Sequence, residues 1–451
     1  MAQNFVGANN INLLRPVGQL GSRLLGGADA ASPRYIHTFM EDIVGKIFRK
    51  EDACLLKHLD DDGELVEPEY YLPVVPLLAI NGSVGIGTGY STNIPPHNPS
   101  DIVSLIRHRL HGSIDTLANR PLDPWWWGFK GTTRRSDECT WVTKGLYEFN
   151  DDNKSITITE LPVGTWTKDY KAFLDELCEN DDKKAKGAKR EATKAEKVSV
   201  SSRGSKDEVE PLGIKGFDDL YNDIDVKFIL YFTEDGYDAV KGDREKFEKR
   251  FKLTSNWKTT NMTCFNADFN IVKYKTIGDI LEEFVEKRLP LYEQRRQTVL
   301  ETLKKQITEL DARRRFIQAI LEDRLVLQKK TDDEIVAQLK MCDIPPLSNP
   351  ERVDEYDSYE YCVKMRIDRV KQAAVIELDR QISDKRGEID RLEAETASSL
   401  WVADLDEFEE AWKAMSALRV REATSVTKSD TATTAVKKKK PVIAKTVGLK
   451  K

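Results

Sequence analysis

The sequence predicts a multidomain protein of the α+β class that contains a long antiparallel coiled coil. Its 451 residues exceed what one compact core usually holds. Strand-like runs at 155–163 and 226–232 share a middle region with helical patterns. Two later segments, 277–327 and about 359–396, repeat apolar residues at three- and four-residue steps, which is typical of coiled coils.

Composition excludes several classes of protein. Charged residues make up 32% of the chain, and no apolar run approaches the roughly 20 residues that span a bilayer. The first residues lack the basic and then apolar pattern of a secretory signal, so we expect a cytosolic or nuclear protein. The six cysteines are scattered without a CxxC spacing, and we predict no metal site in this chain. The net charge of -6 does not decide for or against nucleic acid, because net charge is not patch charge.

Local patterns predict the individual elements. Residues 101–111 form an amphipathic helix, whereas the prolines within 70–80 argue against a helix there. Residues 179–211 contain almost no apolar side chain and predict a disordered insert. The two coiled-coil helices should pair antiparallel, with the proline-containing segment 331–357 as the reversal between them.

Candidate chemistry lies in the segment GGADAASPRYIHTFM. The glycine pair permits a chain reversal, and Ser32 and Pro33 are typical of a helix start. Arg34 and Tyr35 would then lie in the first helical turn, where free backbone N–H groups and the guanidinium favour a phosphate. The alternative, more common for these residue types, is a surface arginine beside a half-buried ring.

A tyrosine nucleophile needs assistance, because its usual pKa is near 10. His37 is the nearest base in sequence. Two residues along a helix, however, it would point to another side, so we predict a structural role.

The run NGSVGIGTG lacks the lysine of a phosphate-binding P-loop. Its glycines surround one branched apolar residue, Ile86. Either Ile86 packs beneath the following helix or it inserts into a partner.

Four runs, in order, closely resemble the DNA-gate core of eukaryotic and viral topoisomerase II. They are AQNFVGANNINLLRPVGQLGSR, GGADAASPRYI, VEPEYYLPVVPLLAINGSVGIGTGYSTNIPPHNP and ITELPVGTWT. The resemblance implies part of a winged-helix domain at 1–73, a tower domain at 74–270, and a coiled coil with an exit-gate dimerisation cap at 271–420. A basic, disordered tail would follow at 421–451.

The resemblance also implies an ATP-hydrolysing topoisomerase that cuts both DNA strands and passes a second duplex through the break. Tyr35 would form the covalent link to a DNA 5′-phosphate, Arg34 would hold the scissile phosphate, and Ile86 would insert between base pairs and kink the DNA. Where the family typically has an arginine, this chain has Gly164, which puts that phosphate contact in doubt.

Partners and cofactors follow from the same resemblance. They are double-stranded DNA, a second copy of the chain, Mg²⁺ and ATP. Both cofactors would be bound by ATPase and metal-binding domains absent from this chain, supplied in cis or as a separate chain, so the enzyme would be incomplete here. The expected location is the nucleus, or a viral or cytoplasmic location if the chain is virus-encoded.

Other interpretations remain open at this stage. The chain could be a dimeric DNA-bending fragment without cleavage, or a coiled-coil scaffold without DNA binding. The tryptophans at 125–127 could stack on bases, but their proline and glycine neighbours favour domain packing. The basic tail is either an unstructured end or an import or phosphate-binding signal.

Overall fold

The computed structural model describes residues 1–118, 120–192, 212–347, 356–366 and 370–435. Its α-helices are α1 (Val44–Ile47), α2 (Leu77–Asn81), α3 (Pro99–Leu110), α4 (Thr167–Ala192), α5 (Glu234–Gly242), α6 (Arg244–Arg250), α7 (Ile277–Leu321), α8 (Asp332–Met341), α9 (Glu360–Val363), α10 (Gln372–Ala394) and α11 (Ala397–Ala435). Short 3₁₀ turns occupy Pro33–Tyr35, Lys50–Leu55 and Tyr356–Tyr359.

The strands are β1 (His58–Asp61), β2 (Glu64–Pro68), β3 (Ser83–Ile86), β4 (Ser91–Ile94), β5 (Thr132–Asp137), β6 (Thr140–Lys144), β7 (Leu146–Asn150), β8 (Ser155–Glu160), β9 (Ile214–Asp219), β10 (Phe228–Phe232), β11 (Thr254–Lys258), β12 (Met262–Phe265) and β13 (Ile271–Tyr274). The combination of several small sheets with a 45-residue helix confirms the predicted α+β class.

The chain folds into two compact units, each discontinuous in sequence. The first comprises Met1–Ile47, Pro73–Val285 and Leu405–Lys451, and the second comprises Phe48–Leu72 and Glu286–Asp404. The finer division into winged-helix, tower and coiled-coil domains stays a prediction.

The main sheet of the first unit has the strand order β7-β8-β10-β9, with antiparallel neighbours throughout. Alternate residues of β10 are buried, as expected for side chains that point to opposite faces of a sheet. Phe228, Leu230 and Phe232 form a core with Tyr170 and Leu174 of α4. Burial of these large side chains stabilises the unit, because each removes apolar surface from water.

Three other groups of strands complete the first unit. One is a three-stranded sheet of order β11-β6-β5, and the others are the hairpins β3–β4 and β12–β13. The predicted strands at 155–163 and 226–232 are β8 and β10, and the predicted helix at 101–111 is α3. Those three predictions are confirmed.

The predicted insert begins inside a helix. Whereas disorder was expected from residue 179, α4 extends from Thr167 to Ala192. Alanine, lysine and glutamate have high helix propensity, so a segment can be helical without apolar residues to bury. Within it, Asp181 is buried and accepts hydrogen bonds from the backbone N–H groups of Leu212 and Ile214, at 2.5 and 3.0 Å. Residues 193–211 lie outside the described residues.

The second unit contains the helix pair. Lys304 of α7 forms an ion pair with Glu393 of α10 at 3.0 Å, and Arg314 pairs with Asp379 at 3.2 Å. As the residue number rises along α7, the number of the paired residue on α10 falls, which confirms the antiparallel pairing. The second helix, α10, begins at Gln372, later than predicted.

A small apolar core closes the far end of this pair. Phe316 of α7 packs there with Leu339 of α8 and Tyr359. α8 begins with a capping box in which Thr331 and Glu334 satisfy each other's backbone N–H groups. Among the described residues, no helix is long and apolar enough to cross a membrane.

Candidate functional site

The segment before Tyr35 is a tight loop held by polar contacts. Gly26 has a φ of 60°, and a Cβ there would approach the Trp166 ring to 2.2 Å, so only glycine fits. Asp29 accepts hydrogen bonds from the backbone N–H and the hydroxyl of Ser22, at 2.8 and 2.6 Å. These contacts fix the loop that leads into the Pro33–Tyr35 turn.

The helix expected after Pro33 is a single 3₁₀ turn. The N–H of Tyr35 donates to the carbonyl of Ser32 at 2.9 Å, and the N–H of Ile36 donates to that of Pro33 at 3.2 Å. Ser32 occupies the N-cap position as predicted, but its side chain forms no capping hydrogen bond. A three-residue turn cannot supply the dipole of a long helix, so a phosphate here depends on side chains.

Tyr35 and Arg34 form an exposed pair. The phenol ring is 70% exposed, and the Arg34 guanidinium lies 4.9 Å from its centroid. Among the residues that the structure describes, neither the phenol hydroxyl nor the guanidinium has a hydrogen-bond or ion-pair partner. The donors of Arg34 are therefore available to an anion beside the phenol.

A second cation–aromatic pair lies next in the chain. The Arg15 guanidinium lies 5.5 Å from the centroid of Phe39, and the Arg15 N–H donates to the Phe39 carbonyl at 2.9 Å. The Thr38 hydroxyl donates to the Arg15 carbonyl at 2.6 Å. Sequence reasoning missed Arg15, because its partner is 24 positions away and no local pattern links them.

His37 is exposed and follows the turn, which ends at Tyr35. Ile36, between them, is extended, with φ -112° and ψ 129°. The argument that helical periodicity separates His37 from Tyr35 was therefore wrong, and its predicted structural role is unsupported by burial.

Ile86 lies at the end of the β3–β4 hairpin and is 94% exposed. The hairpin closes through a 2.8 Å hydrogen bond from the Gly87 N–H to the Tyr90 carbonyl. Its base is fixed by Gly82, where a Cβ would lie 2.5 Å from the Ile94 carbonyl oxygen. Ile86 does not pack beneath the following helix, so that alternative is wrong.

The tryptophans at 125–127 pack within the first unit. Trp126 is buried and lies 5.0 Å from Trp257, whereas Trp127 lies 5.5 Å from Trp412, measured between ring centroids. The packing interpretation is confirmed, and these rings are not free to stack on bases.

Gly164 has a φ of 86°, in the left-handed region that favours glycine. A Cβ at this position would lie 3.8 Å from the Trp257 ring, so space is sufficient but the backbone would be strained. Glycine, rather than the arginine typical of the family, therefore occupies a turn whose backbone conformation favours glycine.

Within the part of the chain that the structure describes, no three or more His, Cys, Asp and Glu side chains are grouped so that they could hold a metal ion. The described residues do not fit a magnesium site. The basic end of the predicted tail, 437–451, lies outside the described residues.

Comparison with known proteins decides the family. The family model for the A subunit of DNA gyrase/topoisomerase IV matches residues 1–406. The chain belongs to this family. The predicted resemblance to type II topoisomerases is confirmed.

Relatives of this chain include eukaryotic and viral proteins. DNA topoisomerase 2 of Acanthamoeba polyphaga mimivirus is 35% identical over 445 residues, which is 91% of this chain and 35% of the relative. DNA topoisomerase 2 of Penicillium chrysogenum is 34% identical over 435 residues, which is 92% of this chain and 25% of the relative. The chain thus spans a quarter to about a third of the length of these curated relatives.

A solved structure agrees with these sequence matches. The crystal structure of the Plasmodium falciparum topoisomerase II DNA-binding, cleavage and re-ligation domain matches with a TM-score of 0.78 and 32% identity. The match covers 94% of this chain and 55% of the Plasmodium chain.

Proposed function

We propose that this chain carries the DNA-cleaving nucleophile of a type II topoisomerase, and that Tyr35 forms a transient link to a DNA 5′-phosphate. The observation that carries the proposal is the exposed Tyr35 phenol stacked with the Arg34 guanidinium, neither of which has a hydrogen-bond or ion-pair partner among the described residues. Membership of the topoisomerase family adds support, because it gives this geometry a phosphodiester substrate.

The step exchanges one phosphodiester for another. The Tyr35 phenol oxygen attacks phosphorus, the bond from phosphorus to the 3′-oxygen breaks, and the 3′-oxygen leaves as a hydroxyl after the phenol proton is transferred through solvent. The 5′-phosphate stays attached to tyrosine. Attack by the 3′-hydroxyl reverses the step, so resealing requires no further energy source.

Arg34 supplies charge stabilisation in this proposal. Negative charge builds on the non-bridging oxygens of the phosphate during attack, and a guanidinium fork can donate to two of them. Because Arg34 already stacks on the Tyr35 ring, phosphate and nucleophile would be positioned together.

Ile86 would bend the same DNA. An exposed isoleucine at the end of a hairpin lowers the stability of the free protein only a little. Between unstacked base pairs, its side chain would be removed from water. The bending role depends on the exposure of Ile86 and on the rigidity of the hairpin that carries it.

The remaining partners extend the proposal. Membership of the type II topoisomerase family favours the participation of Mg²⁺ and ATP, and we propose that ATPase and metal-binding domains, supplied in cis or on a separate chain, bind both. The active form would be a homodimer on double-stranded DNA that passes a second duplex through the break. We expect a nuclear location, or a viral or cytoplasmic one for a virus-encoded chain.

A covalent trap tests the proposal. A duplex with sulfur in place of the bridging 3′-oxygen releases a thiolate, which leaves readily and attacks phosphorus poorly in return, so the adduct accumulates. With Mg²⁺ and the metal-binding domain of a related topoisomerase II added, the wild-type chain and Tyr71→Phe, a control that alters another exposed tyrosine, should form a denaturation-resistant DNA adduct. Tyr35→Phe should form none.

The second candidate is a dimeric DNA-bending protein without cleavage, and the exposure of Ile86 favours it independently of Tyr35. If the wild-type chain, with Mg²⁺ and that metal-binding domain added, bends DNA but gives no adduct with the sulfur-containing duplex, this candidate replaces the first. Adduct formation by Tyr35→Phe would show that another residue is the nucleophile.

A further inference from the structure

A cavity of about 180 Å³ lies in the first unit, away from the residues discussed above. Its lining comes from residues after α3, from β5 and β6, and from the start of α7. Trp141, Met262 and Ile277 are buried and make part of the lining apolar, whereas Arg120 and Arg135 are exposed. The cavity therefore combines an apolar surface with charged groups that water can reach.

The charge of the lining is strongly unbalanced. Three cationic side chains, Arg120, Arg135 and Lys275, face one acidic residue, Glu138. The chain as a whole has a net charge of -6, so this concentration of positive charge is local. Among the described residues, none of the three cations forms an ion pair. Their charge is thus available to a ligand.

His97 also lines the cavity but adds no positive charge at neutral pH. Burial lowers the pKa of its imidazole to about 4, although hydrogen bonds to the carbonyls of Ala79 and Leu122 act in the opposite direction. The ring is a satisfied core residue, and the positive charge comes from the three cationic side chains alone.

Arg135 is preorganised. Its Nε donates to the Asp137 carbonyl at 3.1 Å, and one terminal nitrogen donates to the Glu138 carbonyl at 3.0 Å. Its guanidinium also lies 5.5 Å from the centroid of the Trp141 ring. These contacts orient the fork and leave its remaining N–H groups for a ligand, so little side-chain entropy is lost on binding.

Arg120 and Lys275 approach from other elements. The Nε of Arg120 donates to the Thr116 carbonyl at 3.3 Å, which leaves both terminal nitrogens free of described partners. Lys275 precedes α7 by two residues, near the positive end of that helix. Thr276 and Asp279 already cap the helix reciprocally, so the side chains rather than the backbone would contact a ligand.

We propose that this cavity binds a phosphate group through Arg120, Arg135 and Lys275. Its volume suits one phosphate with few additional atoms, and three donors from separate elements can surround a tetrahedral anion. Two sources share this chemistry, namely a backbone phosphate of DNA and the phosphate of a small molecule. The proposal does not depend on cleavage by Tyr35.

The test uses the whole chain and the double variant Arg120→Gln/Lys275→Gln. Both substituted residues are exposed, so the fold should be kept, which circular dichroism checks. Arg134→Gln is the matched control, because Arg134 precedes Arg135 in β5 and adjacent side chains of a strand point to opposite faces. Each protein is titrated with pyrophosphate, read by thermal unfolding, and with duplex DNA, read by fluorescence anisotropy at several salt concentrations.

Binding of a DNA phosphate predicts that the double variant binds DNA about tenfold more weakly, with a slope of log K against log salt that is smaller by about 1. Binding of a free phosphate predicts that pyrophosphate raises the Tm of wild type and control but not of the double variant, with DNA affinity unchanged. Either result supports the proposal. If pyrophosphate and DNA bind all three proteins alike, or bind none, the cavity is not a phosphate site.

Discussion

Two arginine–tyrosine stacks in this chain have the same chemistry and opposite environments. In the first, Arg34 lies 4.9 Å from the ring centroid of Tyr35, and both side chains are exposed. In the second, Arg288 and Arg295 lie 4.3 and 4.9 Å from the ring centroid of Tyr292, which is fully buried. Stacking geometry alone therefore does not distinguish the proposed nucleophile from a buried structural tyrosine.

Acidic partners make the difference. Around Tyr292, Arg288 donates to Asp52, and Asp404 accepts from Arg295 at 2.8 Å and from the Tyr292 hydroxyl at 2.9 Å. The buried cations there are neutralised within the second unit. Arg34 has no such partner among the described residues, so its donors remain for a phosphate. Among the described residues, the cation without an acidic partner is what sets the proposed nucleophile apart from Tyr292.

The largest expected effect is on the buried stack. Asp404→Ala removes the partner of both Arg295 and Tyr292, and it leaves a buried cation without full compensation. We expect the free energy of unfolding of the second unit to fall by about 3–5 kcal/mol. Urea denaturation followed by tryptophan fluorescence measures this change, because Trp401 stacks on Tyr292 with ring centroids 5.2 Å apart.

Glu393→Ala is the control for that variant. It breaks the ion pair with Lys304, in which both side chains are about half exposed, and should cost about 0–1 kcal/mol. Equal losses of unfolding free energy in the two variants would show that burial does not determine how much these ion pairs contribute to stability.

The next effect concerns the exposed stack. Arg34→Ala should reduce the rate of covalent trapping by about 10²–10³, because it removes charge stabilisation from the reacting phosphate. Arg34→Lys keeps the charge without the bidentate fork, so its rate of covalent trapping should lie between those of wild type and Arg34→Ala. Because Arg34 is exposed and has no ion-pair partner among the described residues, both variants should unfold within about 0.5 kcal/mol of wild type. A stability loss comparable to that of Asp404→Ala would assign Arg34 a structural role instead.

Sequence reasoning predicted the elements whose information is local. The amphipathic pattern of α3, the alternation along β10 and the heptads of α7 and α10 each lie within one segment, and each predicted the right element. It failed where local preferences compete. The prolines argued against a helix, yet Pro76 occupies the N-cap position of α2, where a missing N–H costs nothing.

The candidate site was predictable only in part. Family resemblance pointed to Tyr35, Arg34 and Ile86, and the structure places all three on the surface. The length of the turn and the stacking of Arg15 on Phe39 were not predictable, because they depend on contacts between distant residues. The acidic residues that distinguish the surroundings of Tyr292 from those of Tyr35 are likewise more than 100 positions from Tyr292 in the sequence.

A smaller effect is expected for Tyr292→Phe, which removes the hydroxyl that donates to Asp404. A hydrogen bond to a charged acceptor contributes about 1.5–3 kcal/mol, and Arg295 still compensates the carboxylate. The free energy of unfolding at pH 8 should therefore fall by an amount in this range, measured by urea denaturation.

The same variant has a pH signature. Burial raises the pKa of the Tyr292 phenol above its usual value of 10.0. Above pH 10 the folded protein keeps the Tyr292 proton, while the unfolded chain loses it. The contribution of Tyr292 to the free energy of unfolding is therefore fully present below pH 10 and declines above it. The difference between wild type and Tyr292→Phe should be smaller at pH 11 than at pH 8. An equal difference at both pH values would contradict the raised pKa.

Ile86→Ala should have the smallest effect on stability and a selective effect on DNA. Because Ile86 is 94% exposed, its truncation removes almost no buried surface, and the unfolding free energy should change by less than about 0.5 kcal/mol. Ile376→Ala truncates another isoleucine, 64% exposed on α10, and is the matched control. Fluorescence energy transfer between the ends of a duplex should show less bending with Ile86→Ala than with wild type or control. Because an apolar wedge acts by unstacking base pairs, a duplex with a flexible mismatch at the bend should recover part of that bending. Unchanged bending on the intact duplex would mean that exposure at the hairpin end is not used on DNA.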